Sequence, residues 1–153
     1  MAKQFKIEGM KELNRSLKKL GKVPQKHVTS SSKKGMNIAL KDSRASAPYD
    51  TGMLKKGIIL AGERSMVKGK KVYRVVFDRS MNDVFQKKNA EGKVIGYYPV
   101  SQEYGYFAKN GRYIPGYRFI SDSLTDNTAK IEKTIVSTMK AKIDVEIAKV
   151  GLK

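Results

Sequence analysis

Apolar positions near the N-terminus recur at helical spacing. In MKELNRSLKKL, residues 10–20, they fall three or four residues apart, which predicts a helix that stops at Gly21. Pro24 suits the first turn of a second helix, which we expect to run to about Ala47. The small residues of TSSS, 29–32, favour close packing of this helix over a phosphate contact, because a hydroxyl run inside a helix forms no cradle.

The C-terminal part of the chain carries the most regular helical pattern. We expect Ser121 or Asp122 to cap a long final helix. Its apolar residues step by threes and fours along one face: Leu124, Ile131, Ile135, Met139, Ile143, Ile147 and Val150.

Alternating apolar and polar residues between these helices predict strands. A short strand is expected in KQFKIEG, 3–9. Two more are expected in GIILAGERSMV, 57–67, and KKVYRVVFD, 70–78, joined by a Gly-centred turn in KGKK, 68–71. Another strand is expected at residues 94–100.

The order of these elements predicts an α+β fold. We expect an antiparallel sheet of about four strands, packed against two N-terminal helices and the long C-terminal helix. A chain of 153 residues is long enough for one domain with its own core, so residues 1–153 are expected to form a single domain. Residues 79–96, with a turn at NAEGK, 89–93, have the character of a loop or hairpin insertion.

The stretch SAPYDTGML contains the residue types of a tight corner. Pro48 cannot continue the preceding helix, and Asp50 can accept hydrogen bonds from the amides ahead of it, as an N-cap or Asx turn. Gly52 permits a left-handed backbone angle, so Leu54 would be the first residue to turn back to the core. A hydrolase site built on Asp50 and Thr51 is the alternative, but a corner accounts for each residue without a ligand.

The composition removes most catalytic chemistries. There is no cysteine, and His27 is the only histidine, which excludes thiolate metal sites and His-rich centres. No paired carboxylates, calcium-loop spacing, Walker loop or dinucleotide fingerprint is present. We therefore predict a non-enzyme without cofactor or metal, in which His27 is a surface residue. No apolar run approaches the length of a membrane span, and we expect a cytoplasm-like compartment.

The net charge of +18 indicates an anionic neighbour. The excess is +8 in residues 1–50, +7 in 51–100 and +3 in 101–153, so it does not form a single tail. Nucleic acid, a membrane surface and an acidic protein would each fit, and a merely solvated surface is the alternative.

Residues 97–119 hold six of the eight tyrosines, together with Arg112 and Arg118. Such residues can stack nucleobases, and they also supply rigid contact area at protein interfaces. Because no helix-turn-helix, RRM signature or zinc finger accompanies them, an interface or a core position is favoured over base stacking.

Four motifs in order resemble the tail-completion, or head–tail joining, family of long-tailed bacteriophages. They are IEGMKELNRSLKKL (7–20), SRASAPYDTGMLKKGI (43–58), QEYGY (102–106) and IPGYRFISDSL (114–124). The Ala–Pro…Asp–Thr–Gly–x–Leu element in the second motif is the most specific of the four. Together they span most of the chain.

The resemblance implies a structural virion protein, made in the host cytoplasm, that forms a ring at the phage neck. The ring, expected to be a hexamer, would complete the tail tube and join it to the head connector or stopper protein, with DNA passing non-specifically through its lumen and no membrane partner. The alternative function is a small basic nucleic-acid-binding protein that uses residues 97–118.

Two sets of residues are expected to serve these contacts. Candidate partner-interface residues are Glu103, Tyr104, Gly105, Tyr113 and Phe119. Candidate contacts to lumenal DNA or an acidic partner are Lys55, Lys56, Lys68, Lys70 and Lys71.

Overall fold

Helix α1 runs without a break from Met10 to Ser46 in the computed structural model, which describes residues 10–64 and 66–150. The prediction of two N-terminal helices is therefore wrong. Gly21 lacks the positive φ of a helix-ending glycine, and Pro24 removes one backbone hydrogen bond without ending the helix. Beyond Pro24, packing against the C-terminal helix stabilises α1, beginning at the His27–Glu146 contact. The strand predicted at 3–9 lies outside the described residues.

The remaining elements alternate short helices with short strands. In chain order they are α2 (Met53–Gly57), β1 (Ile58–Gly62), β2 (Tyr73–Phe77), a 3₁₀ turn (Arg79–Met81), α3 (Asn82–Phe85), β3 (Gln86–Lys88), β4 (Val94–Tyr97), α4 (Tyr98–Tyr104), β5 (Gly105–Phe107), β6 (Tyr113–Pro115), α5 (Phe119–Asp126) and α6 (Thr128–Val150). The fold is α+β with a long C-terminal helix, as predicted.

The described strands form three separate antiparallel hairpins, not one four-stranded sheet. β1 pairs with β2, β3 with β4, and β5 with β6. The strand predicted at 94–100 ends at Tyr97, because Pro99 occupies the first turn of α4. Each later hairpin thus leads into a helix or loop instead of extending the first sheet.

The packing face of α1 is built from small residues. At four-residue intervals it buries Ser31, Gly35, Ala39 and Ser43; His27 precedes them in the same row, and Ala47, just after the helix, continues it. A methyl group on Gly35 would come within 2.5 Å of Ile135 Cγ1 and 3.1 Å of the Ile131 carbonyl oxygen, which belong to α6. The close packing predicted from the small residues is confirmed, and α6 is the backbone that approaches.

The core lies where α1 crosses the first hairpin and α5. Its buried residues include Ala39, Leu54, Ile58, Val75 and Phe119. The guanidinium of Arg44 ties the end of α1 to this core, because Nε and Nη2 both donate to the Ile58 carbonyl oxygen, at 2.9 and 2.7 Å.

The segment 79–96 contains the predicted hairpin, and it also completes the core. Phe85 is fully buried, with its ring 6.3 Å from Phe77 and 5.9 Å from Tyr97, both edge to face. A methyl group on Gly57 would overlap the Phe85 ring, so the segment packs closely against α2. At the NAEGK turn, the Asn89 side chain accepts from the amides of Glu91 and Lys93.

Candidate interaction surface

The Pro48–Leu54 corner is a structural element. Gly52 has φ +76° and Leu54 is buried, as predicted. The prediction that Asp50 caps the turn is wrong: Asp50 is exposed, and no side chain caps α2. The Thr51 hydroxyl takes part of that role, accepting a long 3.5 Å hydrogen bond from the Met53 amide.

Glu103, on helix α4, is a buried carboxylate that caps the N-terminus of helix α5. Its Oε2 accepts from the Ile120 amide at 2.9 Å, and Oε1 accepts from the Ser121 amide at 2.9 Å and the Ser121 hydroxyl at 2.8 Å. Only 1% of Glu103 is exposed. The helix N-terminus stabilises the negative charge, and the carboxylate satisfies amides that have no partner within the helix. The prediction that Ser121 or Asp122 caps the final helix is wrong.

Two backbone segments, residues 102–105 and 114–118, are in close contact at the base of the β5–β6 hairpin, next to the Glu103 cap. Gly105 has φ +86°, and a methyl group there would overlap the Ile114 carbonyl oxygen. A methyl group on Gly116 would overlap the Glu103 carbonyl oxygen in turn. The amides of Tyr117 and Arg118 donate to the carbonyl oxygens of Gln102 and Glu103, at 2.7 and 3.0 Å. The base of the hairpin is therefore fixed to α4 and α5.

Beyond this base the hairpin projects a group of exposed apolar side chains. We call residues 104–117 the aromatic arm; it exposes Tyr104, Tyr106, Phe107, Tyr113, Ile114 and Tyr117. Tyr106 pairs across the strands with Ile114, and Phe107 with Tyr113, whose rings lie 5.3 Å apart. Since neighbouring strand residues point to opposite faces, both faces of the arm are apolar.

The arm receives little support from the rest of the chain. The β5–β6 hairpin packs chiefly against α4. At its tip the Ala108 amide donates to the Arg112 carbonyl oxygen, and the amide of Gly111, which has φ +79°, donates to the Ala108 carbonyl oxygen. A two-stranded hairpin is marginal in water alone, and clustered exposed apolar side chains mark contact surfaces. The arm is thus preorganised and uncovered.

The five predicted partner-interface residues divide into two groups. Tyr104 and Tyr113 are exposed, at 61% and 49%. Glu103 and Phe119 are only about 1% exposed, so they do not lie on the surface of the single chain. With Gly105 they instead position the arm. The predicted contact residues did not include Tyr106 and Phe107, although the tyrosine-rich character of residues 97–119 was a general signal for this region.

The five predicted lysine contacts do not form one cluster. Lys55 and Lys56 lie on α2, before β1, whereas Lys68, Lys70 and Lys71 lie at the opposite end of the β1–β2 hairpin. Lys71 donates to the Glu63 carbonyl oxygen and lies over the Tyr73 ring. The exposed members, Lys56, Lys68 and Lys70, are available to anions.

The prediction that His27 is a surface residue is wrong. It is buried between α1 and α6, with Nε2 3.9 Å from Glu146 Oε1 and no hydrogen-bond partner for Nδ1 in the described part of the chain. Nearby, Lys142 Nζ donates to the Ser30 hydroxyl across the same seam. The polar residues around His27 did not indicate its burial, although the small residues that follow it indicated close packing on this face.

No cluster of three acidic or histidine side chains among residues 10–64 and 66–150 could hold a metal ion. Over the same residues, no helix combines the length and the apolar character needed to cross a bilayer. Comparison of the chain with protein-family models, curated proteins and solved structures found no match.

Proposed function

We propose that this protein is a structural component of a bacteriophage neck, which forms a ring that completes the tail tube and joins it to the head connector. The observation that carries the proposal is the aromatic arm, since an uncovered apolar hairpin on a rigid base is suited to contact with a protein partner. The four ordered sequence motifs support the same proposal, and their resemblance to the tail-completion family is the reason for proposing this class of assembly.

The charge distribution is compatible with this role. Basic residues are spread over several elements, and many are exposed, so a ring of copies would present positive charge to DNA and to acidic neighbours. Attraction to phosphates requires no sequence reading.

The proposal is tested by light scattering and negative-stain microscopy of the purified protein, alone and with the tail-tube protein of the same phage. We expect rings, or rings that form on the ends of tubes and stop their growth. A protein that remains monomeric and leaves tube length unchanged would contradict the proposal.

A single-strand nucleic-acid-binding protein is the second candidate. The exposure of Tyr106, Phe107 and Tyr113 beside Lys109 and Arg112 favours it, since exposed rings with nearby cations can stack bases. It predicts tight binding to single strands that is lost when these rings are replaced.

A further inference from the structure

The solvent face of helix α1 is built from lysines. Between residues 25 and 41, every residue of this helix that is exposed is a lysine, and we call the set the lysine row: Lys26, Lys33, Lys34 and Lys41. At 3.6 residues per turn, the four lie within an arc of about 100° and along about 22 Å of the helix. Ser30 and Asn37 are the only other residues in this arc, so it holds no acidic and no apolar residue.

The charges of the lysine row are not compensated within the chain. Its ammonium groups have no ion pair and no hydrogen bond with any residue that the structure describes. Asp42, the one acid of α1 after residue 25, lies outside the arc and accepts from Asn127 Nδ2 at 2.8 Å. On α6, by contrast, Lys149 pairs with Glu146 at 3.4 Å. The row therefore differs from the mixed acidic and basic face of an ordinary exposed helix.

The tip of the β1–β2 hairpin adds to the lysine row at one end. The Gly69 amide donates to Gln25 Oε1, and Gln25 Nε2 donates to the Lys70 carbonyl oxygen at 3.3 Å. Because Gln25 directly precedes Lys26, these bonds hold the tip beside the beginning of the row. The exposed tip residues Lys68 and Lys70 thus join the row in one basic surface.

We propose that the lysine row and the hairpin tip form the surface by which this protein contacts the phosphate backbone of duplex DNA. The inference rests on the proposed function, and it names the surface of each copy that would face the lumen of the ring.

The composition of the row favours this partner over the other anionic ones. Lysine is depleted at protein interfaces, whereas Lys, Ser and Asn side chains commonly contact phosphate oxygens. The row therefore suits DNA better than an acidic protein. The arc contains no aromatic residue on which an unpaired base could stack, so a duplex fits it better than a single strand.

The spacing of the row requires no sequence reading. A duplex carries one phosphate per about 1.7 Å of its axis, so about 22 Å of duplex offers several phosphates to each lysine. A lysine ammonium is a point charge without the fixed fork of an arginine. DNA can therefore move along the row and exchange one phosphate for the next.

Binding of duplex DNA by two variants of equal net charge tests the inference. The row variant combines three substitutions in α1: Lys33→Gln, Lys34→Gln and Lys41→Gln. The control variant combines three at exposed positions of the β3–β4 hairpin: Lys87→Gln, Lys88→Gln and Lys93→Gln. Fluorescence anisotropy with a random-sequence duplex is measured against salt. We expect the row variant to lose about tenfold or more in affinity and about 2–3 in the salt slope, and the control to stay close to wild type.

The outcomes separate this inference from the proposed function. Equal losses in the two variants would show that only total charge matters and would overturn the inference. Poly-L-glutamate that binds the row as tightly as a duplex of equal charge would overturn DNA as the partner, and so would tighter binding of a single strand. Rings that form normally, without row-dependent DNA binding, would overturn the inference alone. Row-dependent DNA binding by a protein that never assembles would contradict the ring alone.

Cross-linking keeps the inference testable if a triple substitution disturbs folding. Because the chain has no native cysteine, Lys33→Cys and Lys88→Cys each place a single thiol at an exposed position, and each removes one charge. Both variants are labelled with a photoactivatable maleimide and irradiated with duplex DNA. We expect cross-links to DNA from position 33 and few from position 88. Equal yields from the two positions would overturn the inference.

Discussion

The Glu103 carboxylate lies within hydrogen-bonding distance of both the amide and the hydroxyl of Ser121, at 2.9 and 2.8 Å, across 18 residues of sequence. Between the two residues the chain makes the whole aromatic arm and returns to the start of α5. One buried side chain therefore closes the loop whose exposed part is proposed to contact a partner.

Removing this cap should destabilise the protein. We expect Glu103→Ala to lower the free energy of unfolding by about 2–4 kcal/mol, because it leaves helix amides without partners in a buried site. Glu103→Gln should cost less, since it keeps one acceptor oxygen. Urea unfolding measures both, with Glu132→Ala as an exposed control. An Ala variant as stable as the control would contradict the capping role.

Because α1 is continuous, replacing two of its glycines by alanine should change the stability of the protein in opposite directions. Nothing lies within 4 Å of a methyl group built on Gly21, so Gly21→Ala should stabilise the protein by about 0.5–1 kcal/mol. Gly35→Ala should destabilise it, because the new methyl would collide with Ile135. Thermal unfolding of the two variants compares them directly. If Gly21→Ala were neutral or destabilising, a helix break at Gly21 would be the better description.

Protonation of the Asp78 side chain should make the stability of the protein depend on pH. Its carboxylate accepts from the Ser80 amide at 2.9 Å, and this hydrogen bond lowers the pKa of Asp78. A lowered pKa in the folded state means that the contribution to stability is present above about pH 4 and is lost as pH falls through the folded-state pKa. We expect Asp78→Ala to destabilise the protein at pH 7 and to differ less from wild type in acid. Urea unfolding at both pH values tests this, and an equal difference at both would contradict it.

Binding to DNA should reflect charge and not aromatic stacking. We expect weak, sequence-independent binding, with a dissociation constant of about 10⁻⁴ to 10⁻⁶ M at physiological salt. Lys68→Gln with Lys70→Gln should reduce the salt slope by about one for each lost phosphate contact, whereas Tyr106→Ser with Tyr113→Ser should leave it unchanged. Fluorescence anisotropy against salt measures both. Loss of single-strand binding in the tyrosine variant would support the alternative function.

The residue types at neighbouring positions predicted the Pro48–Leu54 corner but not the capping of α5 by Glu103. Gly52 and Leu54 could be assigned because a proline, a glycine and the next apolar residue determine a turn between neighbours in sequence. Glu103 could not be assigned as a cap, since its partners lie 17 and 18 residues away and depend on how the hairpin folds back. In the same way, strand alternation identified β1 and β2, but it could not show that the three hairpins stay separate.

Long-range packing also explains the errors in α1. Gly21 and Pro24 are reliable signals only where no neighbouring helix favours continuation. Packing of α6 along α1 stabilises the helix from His27 onward, and it buries His27, which the polar sequence around it did not predict. The small residues at Ser31 and Gly35 were the one local sign of this contact.

Sedimentation velocity of three proteins tests the central claim, ring assembly through the aromatic arm, most directly. Wild type, Phe107→Ser and Tyr49→Ser are compared over a range of concentrations; Phe107 and Tyr49 are equally exposed, at 75%, but only Phe107 lies on the arm. We predict that wild type and Tyr49→Ser form one discrete multiple of the 17.2 kDa chain and that Phe107→Ser sediments as a folded monomer. A wild-type protein that stays monomeric even with tail-tube protein, or a Phe107→Ser variant that assembles as wild type does, would contradict the claim.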